Sequence, residues 1–390
     1  MTTGKKTVLL TGATGFLGSH LMVTLLQKGY LLRVLGRSGK VRPLPERVSN
    51  LLHWFGAGQY ADQVNAFEVD FEKTELGLGR KDYARLCAGE PMVIHCAADT
   101  GFAEQNRQRV MAANVNALAG ILELLKKSRA SFFHHFSTVF AAGAVAGSVP
   151  ESAVQADRFH NVYEESKAIA ESLVSGVCRE FSIPYTIIRP AIVYGDSRSG
   201  RSLKFNALYS PVKSMQLIKD IYLHDLQQNG GARSAPYGIF IAADGCLHLP
   251  IRIFLPRAGS INLIPVDYFA AAALAIIENP AAGKIYHISS AAPSSMETLA
   301  GYTERFLALK GLRVVYQSRD KNPMFNPAEE LFDHFLRPYY PYLSDQRSFE
   351  KTNTDRTTGA ITAPELSYEI FARCMNYARS VEWGKSFRDF

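Results

Sequence analysis

Thr7-Val8-Leu9-Leu10-Thr11 runs directly into Gly12-Ala13-Thr14-Gly15-Phe16-Leu17-Gly18. The first five residues read as a short apolar strand. After the glycines, Leu17, Leu21, Leu25 and Leu26 recur at helical spacing, and Gly29 supplies the stop common at helix C-termini. A glycine triad thus separates a strand from a helix. Gly12 allows the tight turn, Gly15 lets the backbone approach a pyrophosphate, and Gly18 permits close helix–strand packing. The helix N-terminus favours the anion. The stretch therefore predicts a dinucleotide-binding loop, with Thr14, Phe16 and Leu17 between its glycines.

Outward from this loop the apolar pattern keeps alternating in period. Strands are expected at 31–35, 66–70, 92–96, 132–137 and 185–188, and long helices at 107–127 and 163–180. Such alternation predicts an α/β fold, a doubly wound parallel sheet of Rossmann type, which binds ligands beyond the carboxyl ends of its strands. The rhythm breaks near Asp196. Residues 196–260 are rich in Tyr, Phe, Gly and Pro and carry eight Lys/Arg against four acidic residues. Strands resume at 261–266 and 284–288, and the chain beyond Ser294 reads as helical and aromatic. The expected division is a nucleotide-binding domain from 1–195 and 261–290, and a smaller, mostly helical substrate lobe from 196–260 and 291–390.

Composition narrows the class. With 47% hydrophobic and 20% charged residues, the 390-residue chain has the balance of a globular protein. The formal charge is +7, but no block of like charges concentrates it, which argues against a nucleic-acid partner. A mildly basic surface suits phosphorylated cofactors, coenzyme A or an acidic carrier protein, and equally suits nothing in particular. No apolar run is long enough to span a bilayer, and the one after Lys5-Lys6 breaks at once into the glycine loop, so neither a transmembrane segment nor a signal peptide is expected. The five cysteines are dispersed, without a CxxC pair, which predicts a reducing cytoplasm. Oligomeric state is not legible.

The end of the second strand sets nicotinamide preference. An acidic residue there would bond the ribose 2′-hydroxyl and repel a 2′-phosphate. Gly36-Arg37-Ser38 stands there instead, with Arg33 nearby. A guanidinium matches a phosphate in charge and geometry, so NADP(H) is expected. The competing reading is an ordinary surface arginine. Asp70 is placed to accept from an adenine amino group, or else caps a turn. Ala97 and Ala98 leave room for the cofactor to pass.

Tyr163 and Lys167, spaced i,i+4, share a helix face. An ammonium beside a phenol favours phenolate, so the tyrosine could exchange a proton with a substrate oxygen near neutral pH. Thr138 follows the fifth strand, where its hydroxyl would bond the same oxygen, with Ser137 as rival. His134-His135 invites a metal reading, but adjacent strand residues point to opposite faces, so no metal is expected.

The glycine loop, Ser137-Thr138, Tyr163-x-x-x-Lys167 and the segment 189–195 (Arg-Pro-Ala-Ile-Val-Tyr-Gly) together resemble the extended short-chain dehydrogenase/reductase superfamily. Within it, the segment 70–78 (Asp-Phe-Glu-Lys-Thr-Glu-Leu-Gly-Leu), Ile94-His95-Cys96-Ala97-Ala98, Ala113-Asn114-Val115, the segment 194–200 and Ile264-Pro265-Val266-Asp267-Tyr268 are similar to the thioester reductase and fatty acyl-CoA reductase branch. The resemblance covers about residues 7–290. It implies that Gly12, Gly15 and Gly18 hold the dinucleotide, Arg37 the 2′-phosphate and Asp70 the adenine, with Phe71 also among the cofactor-binding residues. Ala97, Ala98 and Asn114 would flank the cofactor, with Pro190, Ile192 and Val193 along the nicotinamide. Thr138 and Tyr163 would hold the reacting oxygen, and Lys167 the nicotinamide ribose. One departure is Ala117-Leu118, where the family often has Gly-Thr.

The implied activity is NADPH-dependent reduction of an acyl thioester, on coenzyme A or an acyl carrier protein, to an aldehyde and possibly on to an alcohol. Three rivals stand beside it. A sugar-nucleotide epimerase or dehydratase of the same superfamily is one, but dehydratases follow the threonine with an acidic pair, and Val139-Phe140 stands here. A ketone reductase is the second. The third is a non-enzymatic NADP-sensing regulator, a type that usually loses the Tyr–Lys pair retained here.

Overall fold

Seven parallel strands carry the nucleotide-binding half: β1 (Thr7–Thr11), β2 (Leu31–Gly36), β3 (Val64–Glu68), β4 (Met92–His95), β5 (Phe132–Phe136), β6 (Tyr185–Pro190) and β7 (Lys284–Ile288). Their order across the sheet is β7-β6-β5-β4-β1-β2-β3. The computed structural model describes residues 6–39, 41–153, 156–317 and 324–387. Helices cover both faces, as a parallel sheet requires. One apolar core joins helices Phe16–Gln27, Leu44–Trp54 and Val266–Glu278, while Phe71, Leu118, Ile121 and Val174 pack on the other face. The strand order reverses between β1 and β4. That switch point is where an open α/β sheet leaves a crevice for its ligand.

Several elements lie where the sequence pattern expects them, with informative shifts. Strand β3 ends at Glu68, two residues before the expected limit, although Val69 still donates to the Gly36 carbonyl. Asp70 therefore lies in a turn beyond the strand. The expected 107–127 helix is broken by a π-turn at Ala112–Asn116, between Arg107–Met111 and Ala117–Ser128. In the 196–260 stretch, read as irregular, a 20-residue helix runs over Tyr209–Gln228 and a nine-residue strand over Leu247–Leu255.

A second core gathers side chains from 194–263 and 296–378, including Tyr209, Met215, Ile253, Leu299, Phe332 and Phe371. Strand Leu247–Leu255 pairs in parallel with Leu309–Tyr316. The chain crosses between the two cores repeatedly. Ile192–Tyr194 pairs with Leu263–Pro265 at their junction, and β7 returns to complete the large sheet. Helix Thr352–Thr358, from the range expected in the lobe, packs back on β7 and on helix Val266–Glu278. The Glu151 carboxylate ties these crossings together. It accepts from the His287 amide at 2.9 Å, the Thr354 amide at 3.1 Å and the Thr354 hydroxyl at 2.6 Å, and from the Asn353 amide.

Candidate active site

The glycine loop sits at the switch point and is sterically determined. Gly12 has φ +75°, and a Cβ there would lie 2.6 Å from the Ala97 nitrogen at the end of β4. A Cβ on Gly18 would lie 2.1 Å from the Gly12 carbonyl oxygen. Any larger residue must push backbone against backbone. The Thr11 hydroxyl closes the same corner, 2.8 Å from His95 Nδ1 and accepting from the Ala97 amide at 3.3 Å.

Gly15 is the N-cap of the first helix and offers no side-chain oxygen, and no acidic residue occupies the first turn. The leading amides of Phe16 and Leu17 thus face the crevice without an internal acceptor. Such an end is built for an anion. The Phe16 ring itself is buried in the core beneath, edge-on to His20 at 5.5 Å. The residues present fit a dinucleotide: a cradle that a Cβ would fill and an uncapped helix terminus.

At the end of β2, Arg37 is exposed and its side chain makes no hydrogen bond or ion pair among the described residues. Arg33, by contrast, points away and is spent on the Leu86 and Ala88 carbonyls at 3.0 and 2.8 Å. A second guanidinium, absent from the sequence reading, occupies the loop. Arg47, in the first turns of helix Leu44–Trp54, donates to the Thr14 hydroxyl at 2.9 Å and to the Arg37 carbonyl at 3.3 Å. No motif spacing announces it, because only the approach of two loops brings it there. Asp70 is half-exposed, pairs with Lys73 at 3.4 Å and accepts from the Glu72 amide at 3.2 Å; Phe71 turns inward to the core.

The reacting centre is assembled at the ends of β5 and β6. Helix Val162–Glu180 begins at Asn161, whose side chain accepts from the Glu164 amide at 3.1 Å. This cap, legible in Asn161-x-x-Glu164, sets Tyr163 in the first turn. Thr138 is buried, hydrogen-bonds the Tyr163 phenol, and donates to the Pro190 carbonyl at 3.4 Å. The rival Ser137 is also buried, and its hydroxyl finds no partner among the described residues. Lys167 donates to the Phe136 carbonyl at 2.6 Å. Asn114 does not face the crevice as a free group. It clamps the post-β4 loop to the Tyr163 helix, donating to the Asp99 carbonyl and the Ser166 hydroxyl, both at 2.9 Å, and accepting from the Asp99 amide at 2.7 Å.

The electrostatics differ from the expected phenolate. Burial pushes the Tyr163 phenol up, a trend that nearby Cys96 reinforces and the Thr138 hydrogen bond only partly offsets. Lys167 is not among the groups acting on it. Instead, burial drives the Lys167 ammonium down to about 8, against the pull of Cys96 and Glu171. The phenol is therefore a proton donor at neutral pH, which is the role a reduction needs. His134 and His135 do face different neighbours: His134 Nδ1 lies 2.8 Å from the Thr186 hydroxyl, and His135 stacks on His95 at 5.5 Å. Burial lowers the pKa of all three histidines.

The roof of the centre comes from far along the chain. Tyr342 donates to buried Glu164 at 2.7 Å and accepts from Asn161 at 2.6 Å. Its ring packs on Phe140 at 4.8 Å and Phe102 at 5.6 Å, and Phe102 reaches Tyr163 at 6.1 Å. Nothing local in the sequence links these residues. Ile192 and Val193 diverge: Val193 packs into the nucleotide-binding core, whereas Ile192 packs with the Tyr342 cluster and the lobe core.

A glycine cradle at a sheet's switch point, facing a Thr–Tyr–Lys cluster, defines an oxidoreductase of the extended short-chain dehydrogenase/reductase type that uses a nicotinamide cofactor. The chain belongs to the family described as male sterility protein, whose NAD-binding model matches residues 10–273, about two thirds of its length. It is 24% identical over 381 residues to a nonribosomal peptide synthetase of Aspergillus flavus, covering 90% of this chain and 34% of that protein. It is 25% identical over 247 residues to a 3-beta-hydroxysteroid dehydrogenase of Mycolicibacterium neoaurum, covering 61% of this chain and 60% of that one. The chain thus spans about a third of the Aspergillus protein, and only 5% of a hybrid synthetase of Talaromyces variabilis.

Among solved structures, the terminal R domain of the myxalamid PKS-NRPS pathway superposes with a TM-score of 0.75 at 22% identity, over 99% of this chain and 93% of that one. A thiolation-reductase di-domain from an archaeal non-ribosomal peptide synthetase gives 0.69 at 16% identity, over 97% and 76%. At these identities the structures speak for the fold, and the resemblance to the thioester reductase branch holds through the family.

Proposed function

We propose that this chain reduces an acyl thioester, carried on coenzyme A or on a carrier protein, to an aldehyde at the expense of NADPH. What supports the reading is the placement of the Tyr163 phenol with the Thr138 hydroxyl at the ends of β5 and β6, where burial favours the protonated phenol. Gly12, Gly15 and Gly18 would hold the pyrophosphate, and Arg37 with Arg47 the 2′-phosphate. When bound there, a reduced nicotinamide would supply the hydride that the thioester carbon accepts. As the carbonyl π pair moves onto oxygen, Thr138 donates a hydrogen bond and Tyr163 gives up its proton to that oxygen. Preorganised donors of this kind are worth about 100- to 1,000-fold each. The resulting hemithioacetal would return its hydroxyl proton to the Tyr163 oxygen as the C=O bond re-forms and the C–S bond breaks, and the released thiolate would take a proton from water to become free thiol, leaving the aldehyde. Lys167 would hold the ribose and assist return of a proton to Tyr163. Buried Val139 and Phe140 after Thr138 supply no acid for water elimination, which disfavours a dehydratase.

The test is NADPH oxidation, followed optically, with acyl-CoAs, carrier thioesters, aldehydes, ketones and nucleotide sugars. Turnover of ketones or sugars, with none of thioesters, would overturn the reading. Arg37→Ala is expected to raise the NADPH dissociation constant by roughly 10- to 100-fold, the worth of a charge-assisted bond, while NADH binding moves less than about twofold. Equal losses for both cofactors in a titration would show that Arg37 does not read the 2′-phosphate. With Lys167 near 8, its charge is present below that pH and lost above it. Reductive kcat/KM is therefore expected to fall about tenfold per pH unit above pH 8, and Lys167→Arg to flatten that limb. A profile flat to pH 10 in the unaltered protein would exclude an essential Lys167 charge.

A further inference from the structure

One helical turn beyond Lys167, on the same face of helix Val162–Glu180, stands Glu171. Both side chains are buried, yet no ion pair joins them among the described residues. The Lys167 ammonium donates to the Phe136 carbonyl at 2.6 Å, and the Glu171 carboxylate accepts both prongs of the Arg189 guanidinium at 2.9 and 2.6 Å. Arg189 is fixed in turn by the Ser152 carbonyl at 3.2 Å and by His287 Nε2 at 3.3 Å. A rigid fork therefore holds the carboxylate where its charge reaches Lys167 through a poorly screened interior.

Buried ion pairs are a weak source of stability, because apolar side chains of similar size often serve as well. The place of this one calls for another use. Four titratable groups from the surrounding elements interact electrostatically with Lys167: His95 at the end of β4, Cys96 just after it, His135 on β5 and Glu171 on its own helix. Burial lowers His95 to about 3 and His135 well below its ordinary value, so both rings are neutral at pH 8. Burial pushes the Cys96 thiol up to about 12, so it too is neutral there. Of the four, the Glu171 carboxylate alone brings a charge, and it opposes the burial that drives the Lys167 ammonium down to about 8.

Resting on the role given to Lys167 above, we infer that Glu171 is a positioning residue of the reacting centre: aimed by Arg189, its carboxylate keeps the Lys167 ammonium charged at neutral pH. A charged Lys167 can hold the ribose and assist return of a proton to Tyr163. A neutral one loses both its positive charge and a donor. Glu171 itself is committed to Arg189 and acts through Lys167.

Lysine labelled with carbon-13 at Cε reports the charge of its own ammonium by NMR, in the full chain and without cofactor. One resonance is expected to titrate near pH 8 and to vanish in Lys167→Arg. In Glu171→Gln its midpoint is expected to fall by about one unit or more, the usual effect of removing an opposite charge within about 4–6 Å. The alkaline limb of kcat/KM should move with it, lowering activity at pH 9 about tenfold. Glu171→Gln leaves Arg189 without its carboxylate and risks misfolding, so the double variant Glu171→Leu with Arg189→Met gives a second reading. It removes the charge and makes both partners apolar, and the midpoint should again fall. An unmoved midpoint in whichever variant folds would overturn the inference and leave the pair a purely structural feature. A midpoint that falls while no thioester is reduced would uphold the role of Glu171 and overturn the thioester reading alone.

Discussion

Tyr163→Phe is expected to lower turnover roughly 100- to 10,000-fold, the usual contribution of a positioned proton donor, while NADPH binding changes less than about twofold. The substitution removes one oxygen and leaves the ring, so packing against Phe102 persists. The phenol holds its proton because burial disfavours phenolate, and Thr138 orients it. Without it, the developing oxyanion keeps only the Thr138 hydrogen bond. The two effects separate experimentally: steady-state rates report the lost donor, and cofactor fluorescence reports the cradle. Turnover surviving within tenfold would remove Tyr163 from the chemistry.

The second large effect concerns stability. Arg189 and Glu171 form a two-pronged ion pair at 2.9 and 2.6 Å, with side chains 1% and 9% exposed. Arg189 also donates to the Ser152 carbonyl at 3.2 Å and lies 3.3 Å from His287 Nε2. Burial first, and then the guanidinium, lowers His287 to about 3, so the ring stays neutral and can accept. Arg189→Met would strand the Glu171 carboxylate in the interior. Losing one member of such a pair costs about 3–5 kcal/mol, whereas replacing both with apolar side chains is often near neutral. Urea unfolding of Arg189→Met is expected to show that loss, and the added Glu171→Leu change to recover most of it. A single variant within about 1 kcal/mol of the parent would mean that water reaches the pair.

The contrast between what the sequence disclosed and what it hid follows the range of the interactions. The glycine loop was legible because strand, turn and helix are local. Tyr163 and Lys167 were legible because their spacing equals a helical turn. Strand Leu247–Leu255 was not, because Pro250 sits inside it; the ladder slips between His248 and Ile251, where a proline's missing amide is tolerated. Helix Tyr209–Gln228 was masked by Pro211 in its first turn, where the helix needs no amide donor. Tyr342 was invisible for a different reason. It meets Glu164 across 178 residues, and no periodicity spans that distance. Spacing places Lys167 near Tyr163 but reports neither the burial that raises the phenol's pKa nor the turn of the Lys167 ammonium to the Phe136 carbonyl.

The Glu151 carboxylate, gathering amides from residues 287, 353 and 354, has a consequence for anyone recombining this scaffold. Chimeras that exchange the lobe at a single crossover, near 196 or 290, would pair a donor's 352–358 helix with a recipient's residue 151 and β7. That junction would decide whether such a hybrid folds. Productive swaps must carry residues 148–152, 284–288 and 348–358 from one parent, so the unit of exchange is discontinuous in the gene although contiguous in space.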